Sequence, residues 1–279
     1  MKNSNLYDII YTLLKRKKIE KTHLEEKMPK FFVEQEQIKN NQIAIIGQDL
    51  NHIKKVLRGK IGDELQICNK QNKENYLCQI QSIENEKIIC EIKSKIEEQT
   101  ETNVEVTIFQ GLPKADKMEY VIQKSVELGV HDITPVEMKR CVVKLNDKDK
   151  IKKIDRWQKI SEVAAKQCGR DIIPKINNVI NIKNLCNLIE KYDIVLVAYE
   201  NEKKNTLKEQ LKKIKNKYNS TNAKIKIGLV IGPEGGLEEK DVDLLQQKGA
   251  SIITLGNRIL RTETVALNVL SIIMYELEN

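Results

Sequence analysis

Apolar residues change their spacing twice along this chain. In residues 1–27, Leu6, Ile9, Ile10, Leu13 and Leu14 recur at helical spacing, and a basic run follows at 15–18. From residue 28 to about 98 the pattern becomes short alternating runs: NQIAIIG (41–47), DELQIC (63–68), YLCQIQSI (76–83) and KIICEIK (87–93). Gly59 and Gly62 supply turns between them. Alternation at even spacing predicts a small antiparallel β-barrel. The polar stretch 97–103 reads as a linker.

From residue 104 onward strands and helices alternate. VTIFQGL is strand-like, and Met118, Val121, Ile122, Ser125 and Leu128 then share a helical face that Gly129 ends. HDITPVE is a strand, and Trp157, Ile160, Ala164 and Cys168 form a second helical stripe that stops at Gly169. DIVLVAYE, a lysine-rich helix, KIGLVIG, a helix over 238–247, SIITLG and a last apolar helix to Leu277 complete the pattern. Such alternation predicts a parallel sheet covered on both faces. The expected organisation is an extension (1–27), a β module (28–98) and an α/β domain (104–279).

Composition narrows the class. Charged residues make up 32% of 279 and mean hydropathy is −0.47, so a soluble protein is expected. No apolar run approaches the length of about 18 residues needed to span a bilayer. The net charge of +8 favours a polyanionic partner. Six cysteines lack C-x-x-C spacing and three histidines are scattered, so neither a metal site nor a disulfide framework is expected. Free thiols fit a reducing cytoplasm. Residues 1–27 carry Asp8, Glu20, Glu25 and Glu26, which a transit peptide would avoid.

Candidate chemistry lies at strand ends, where open α/β sheets bind ligands. Three ends are unusual: Ala198-Tyr199-Glu200, Ile231-Gly232-Pro233-Glu234-Gly235-Gly236, and Leu255-Gly256-Asn257. Glycines there let the main chain touch a ligand directly. Neither a P-loop nor a dinucleotide fingerprint is present. The following run, Arg258 to Thr264, interleaves charges with Ile259 and Leu260 at the mouth of a helix that favours anions. That mixture suits a purine and its sugar.

Together these stretches resemble the SPOUT methyltransferases, specifically the family that methylates N3 of a uridine in 16S ribosomal RNA. The resemblance is carried by residues 111–135 (GLPKADKMEYVIQKSVELGVHDITP), 140–144 (RCVVK), 156–174 (RWQKISEVAAKQCGRDIIP), 231–237 (IGPEGGL) and 255–267 (LGNRILRTETVAL). MPKFFV at 28–33 resembles the family's usual N-terminus, and Cys168 and Ala115 stand where serine and glycine are common. The resemblance implies a SPOUT-type parallel sheet with a C-terminal trefoil knot, preceded by a PUA-like RNA-binding barrel. It also implies a homodimer, S-adenosylmethionine as cofactor and the small ribosomal subunit as partner, with no membrane and no metal.

Carried onto these residues, the resemblance gives a cofactor pocket of Ala198, Glu200, Ile231, Gly232, Pro233, Glu234, Gly235, Gly236, Leu255, Gly256, Ile259, Leu260 and Thr264. Arg261 is the candidate to stabilise the uracil anion. Glu263 or Glu234 would take the proton, or else cap a helix. Lys30 and Arg58, together with Lys54, Lys55 and Lys60, would give the β module a basic RNA-facing surface, joined by Lys114 and Lys117. Arg140 and Arg170 would grip RNA phosphate or a partner copy, or form structural ion pairs. Ribose 2′-O methylation and a non-catalytic RNA-binding assembly role stand as alternatives.

Overall fold

The computed structural model describes residues 28–97, 100–218 and 223–278. The helix expected within 1–27 lies outside the described residues. The chain divides into two units, Met1–Glu97 and Glu98–Asn279.

In the first unit, β1 (Lys30–Val33), β2 (Ile38–Lys39), β3 (Gln42–Ile46), β4 (Glu64–Asn69), β5 (Asn75–Ile83) and β6 (Lys87–Ile96) make one sheet in the order β1-β4-β5-β6-β3-β2. Its ladders are antiparallel except β1–β4, which is parallel. The sheet is therefore mixed, where the alternation alone predicts an antiparallel one. The chain between β1 and β4 is long enough to make the crossover a parallel pair needs. Two register shifts in the β5–β6 ladder bend the sheet. Over its inner face lie Phe31, Ile43, Ile67 and Ile88, capped by Leu50 and Ile53. Those last two belong to α1 (Gly47–Asn51) and the π-helical turn His52–Leu57 that continues it. Arg58 ends this segment in the left-handed region, at φ 53°.

The second unit is a parallel sheet. β7 (Val104–Gly111), β8 (Asp132–Glu137), β9 (Lys175–Ile176), β10 (Ile180–Asn181), β11 (Ile194–Ala198), β12 (Ile225–Ile231) and β13 (Ser251–Ile253) run in the order β10-β8-β7-β12-β11-β13, with β9 beside β8. Every ladder is parallel. β12 is central, and all its residues but Lys226 are buried, which explains its nearly unbroken apolar run. Burying each Leu or Ile there contributes about 1.5–3 kcal/mol. The helices are α2 (Lys117–Glu127), α3 (Asp147–Cys168), α4 (Ile182–Cys186), α5 (Leu207–Tyr218), α6 (Glu239–Gln247) and α7 (Thr262–Leu277). Asn146 caps α3 by accepting from the Asp149 N–H, and Gly169 ends it at φ 80°.

The chain passes from edge strand β13 back to the middle of the sheet, where α7 packs on α2, α5, β7 and β12. Val265, Ala266, Val269, Leu270 and Ile273 form its buried stripe. Among the described residues no helix is long and apolar enough to cross a membrane. The described cysteines are free, and burial pushes the thiols of Cys78 and Cys90 up to about 12.

Two cations named for RNA contact are buried instead, Arg170 in the structural ion pair that is its alternative. Lys30 is 6% exposed in β1. Arg170 is 7% exposed; its Nη1 donates to Val130 O (2.6 Å) and Val126 O (3.2 Å), and its Nε to Glu101 Oε1 (3.2 Å). It closes the end of α2 and pins residues 100–101, as the Asp171 carboxylate accepts from the Thr100 N–H at 2.7 Å. Burial raises the Glu101 carboxyl's proton affinity, but hydrogen bonds and charge from Arg170 outweigh it, so its pKa lies below 4.5. A depressed carboxyl stabilises the fold above pH 4.5 and loses that contribution as pH falls through the lower folded value. Arg170→Ala should lower unfolding free energy by about 3–5 kcal/mol in urea titrations. Glu101→Gln should flatten the acid-side fall in Tm below pH 4.5. A wild-type Tm for Arg170→Ala with weakened RNA binding would reverse this placement.

Candidate active site

The carboxyl ends of β11, β12 and β13 open into one cavity of about 440 Å³, within the range of roughly 300–1,000 Å³ usual for small-molecule sites. Every predicted cofactor residue except Thr264 lines it. So do Lys117, Tyr199, Lys203, Leu237, Asn257, Arg258, Arg261, Thr262 and Val265. The apolar wall comes from Ile231, Leu237, Leu255, Leu260 and Val265, while Ile259 is 85% exposed. Glu200 lies exposed at the edge, where Lys203 Nζ donates to its carbonyl (2.9 Å).

The turn after β12 is tight because two glycines allow it. A Cβ on Gly232 would lie 2.9 Å from the Gly236 carbonyl carbon and 3.1 Å from the Leu237 nitrogen, both backbone atoms that cannot yield. Gly236 has φ +69°, and a Cβ there would come within 2.7 Å of Glu200 Oε1. The Glu200 carboxylate thus lies directly over the turn. On the other side, Arg140 Nη1 donates to Gly235 O (3.1 Å), so Arg140 braces the loop from outside the cavity.

Thr262, not Thr264, closes the floor. Successive helical residues turn by about 100°, so Thr264 faces away and is exposed. The buried Thr262 hydroxyl donates to Gly232 O (2.7 Å) and accepts from Gln110 Nε2 (2.8 Å). Thr262 carries no signal in the sequence beyond its place in the stretch 255–267, and Gln110 none beyond its place in the strand VTIFQGL.

The charged residues form a second cluster. Lys117 Nζ lies 3.1 Å from Glu234 Oε1 and 3.2 Å from Glu263 Oε2. Glu234 also accepts from the Lys114 N–H (3.0 Å). Burial raises the Glu234 carboxyl, but the Lys114 N–H and Lys117 outweigh it and hold it below the usual range. Hydrogen bonding to Glu234 pushes the Lys117 ammonium up. Expected to reach substrate, Glu263 instead does not line the cavity and pairs with Lys117 behind its wall. Lys117, expected to contact RNA, is a half-buried cavity residue. Arg58, Lys114, Arg140 and Arg261 are exposed. Arg261 lines the cavity as the extended residue preceding α7.

Gly232→Ala should abolish small-molecule binding while Gly256→Ala, with open space around its Cβ, costs only the backbone strain of about 1–2 kcal/mol. Calorimetric titration with S-adenosylmethionine tests this. Equal affinities for the two variants would show that the turn does not shape the cavity.

A family model described as an RNA methyltransferase domain matches residues 100–274, and one described as an RNA methyltransferase PUA domain matches 45–93. The ribosomal RNA small subunit methyltransferase E of Bacillus subtilis is 36% identical over 254 residues, 90% of this chain and 98% of that protein. Its counterpart in Mesomycoplasma hyopneumoniae is 36% identical over 244 residues, 88% of this chain and 98% of that one. A putative Legionella pneumophila methyltransferase, solved with bound S-adenosylmethionine, matches with a TM-score of 0.76 at 27% identity, over 89% of this chain and 98% of that one. With that domain matched over residues 100–274 and these two relatives 36% identical across about nine-tenths of it, the chain belongs to the ribosomal RNA small subunit methyltransferase E family of RNA methyltransferases.

Proposed function

We propose that this protein uses S-adenosylmethionine to methylate N3 of a uridine in 16S ribosomal RNA, acting on the small ribosomal subunit. The observation that carries this reading is the cavity, lined by the glycines Gly232 and Gly235 and by the apolar residues Leu255, Leu260 and Val265. The cofactor bound by the Legionella relative and the substrate in the name of the Bacillus subtilis relative support it.

The residues present fit that cofactor. Main-chain donors and acceptors around Gly232, Leu255 and Ile259 suit an adenine edge, and the Leu260 side chain suits its face. The Glu200 carboxylate, which Gly236 lets sit over the turn, suits a ribose hydroxyl. When bound, S-adenosylmethionine supplies an electrophilic methyl group on a sulfonium.

The chain's own task is to orient the base and favour loss of its N3 proton. Arg261, exposed on the cavity wall, meets the uracil oxygens and stabilises the anion. Glu234 and Glu263 are both engaged with Lys117, so the proton passes to water at the open mouth. Arg140, Arg258 and Lys114 surround this region and hold RNA phosphates, as Arg58 does on the β module. The protein works as a homodimer; Val142, Ile151 and Val163 leave apolar side chains 64–67% exposed for such pairing.

Mass spectrometry of 16S nucleosides from cells lacking the gene tests the reaction. Loss of 3-methyluridine, restored by the wild type and about 100-fold more slowly by Arg261→Ala in vitro, is the expected result. Unchanged 3-methyluridine with a missing 2′-O-methyl nucleoside would instead identify ribose methylation. Unchanged nucleosides with RNA binding retained would identify an assembly factor.

A further inference from the structure

We infer that Lys117 is a positioning residue for methyl transfer: held between Glu234 and Glu263, its ammonium fixes the segment that carries Arg261 against the cavity wall. This rests on the function proposed above. Lys117 stands in the first turn of α2, Glu234 in the turn after β12, and Glu263 in the first turn of α7. One nitrogen, 3.1 and 3.2 Å from the two carboxylates, therefore joins three segments that are distant in sequence.

Arg261 needs such a device. Its guanidinium makes no hydrogen bond or ion pair with the described residues, so its aim is set by the backbone that carries it. That backbone is tied at the next residue by the Thr262 hydroxyl and at the one after by the Glu263 pairing. Remove the ammonium and two carboxylates that shared it face each other unneutralised. Glu234 stays put, because the Lys114 N–H still donates to it. Glu263, its side chain only 17% exposed, is the one driven outward, and the start of α7 moves with it. The same three segments would suffer little from a change that removed ammonium and repelling charge together, because the Thr262 tie remains.

The test uses purified full-length protein, small ribosomal subunits from the deletion strain and labelled S-adenosylmethionine. Total methyl transfer, Tm and cofactor affinity are measured for Lys117→Met, Lys117→Arg and the double variant Lys117→Met with Glu263→Gln. Lys117→Met should lower kcat about 10- to 100-fold with cofactor Kd within about threefold. Lys117→Arg, which keeps a positive charge between the two carboxylates, should lose less kcat than Lys117→Met. The double variant should regain at least about tenfold in kcat over Lys117→Met. Wild-type kcat in Lys117→Met, or a double variant as slow as the single one, overturns the positioning role; the latter makes Lys117 itself a substrate contact. Identifying the methylated atom in the wild-type product judges the uracil-N3 reading separately. The ratio of variant rates decides on Lys117 whichever atom carries the methyl group.

Discussion

The Thr262 hydroxyl donates to Gly232 O and accepts from Gln110 Nε2, and the site depends on that pair of bonds. It lets the end of β7, the turn after β12 and the beginning of α7 share one atom. Both side chains are buried, so neither bond competes with water and losing one would strand a polar group. Everything that lines the cavity from Leu255 to Val265 is positioned by where α7 starts, and this hydroxyl fixes that start.

The protein's positive charge divides into two populations. Arg170 and Lys117 are consumed by carboxylates and carbonyls inside the second unit, whereas Arg58, Lys114, Arg140, Arg258 and Arg261 remain exposed. The first population holds loops in place; the second, of which Arg140 also braces the loop through Gly235 O, faces the solvent from which a polyanion arrives. Net charge alone cannot separate them, which is why a basic composition is weak evidence for any particular contact.

The sequence makes the long elements legible, because β12, α2 and α7 each bury a continuous run or stripe that only one periodicity explains. The glycine turns are legible too, since GPEGG sits where side chains would collide with backbone and Gly256 where the backbone turns to a positive φ. What escapes it is short or depends on direction. β9, β10 and α4 span two to five residues, too few to show a period. The helical segment after β3 is hidden in GQDLNHIKKVL, where only Leu50 and Ile53 are buried. Thr264 and Thr262 differ by a rotation about the helix axis, which a repeated threonine cannot reveal. Lys30 lies in a strand that buries all four of its residues, and Arg170 pairs with Glu101, 69 positions away.

The separation of the partners around Thr262 also has a temporal side. Gln110 and Thr262 are 152 residues apart in the chain, while Gly232 lies 30 residues before that threonine. During synthesis the strands that donate the glycine turn are complete well before the residue that seats them has left the ribosome. Until then Gln110 has Gly111 O to donate to but not the Thr262 hydroxyl. Closing so long a loop is slow, and no cofactor can hasten it, since the pocket the cofactor would stabilise does not yet exist. The cavity is thus a late product of folding, closed by the same polypeptide segment that carries Arg261 on its wall.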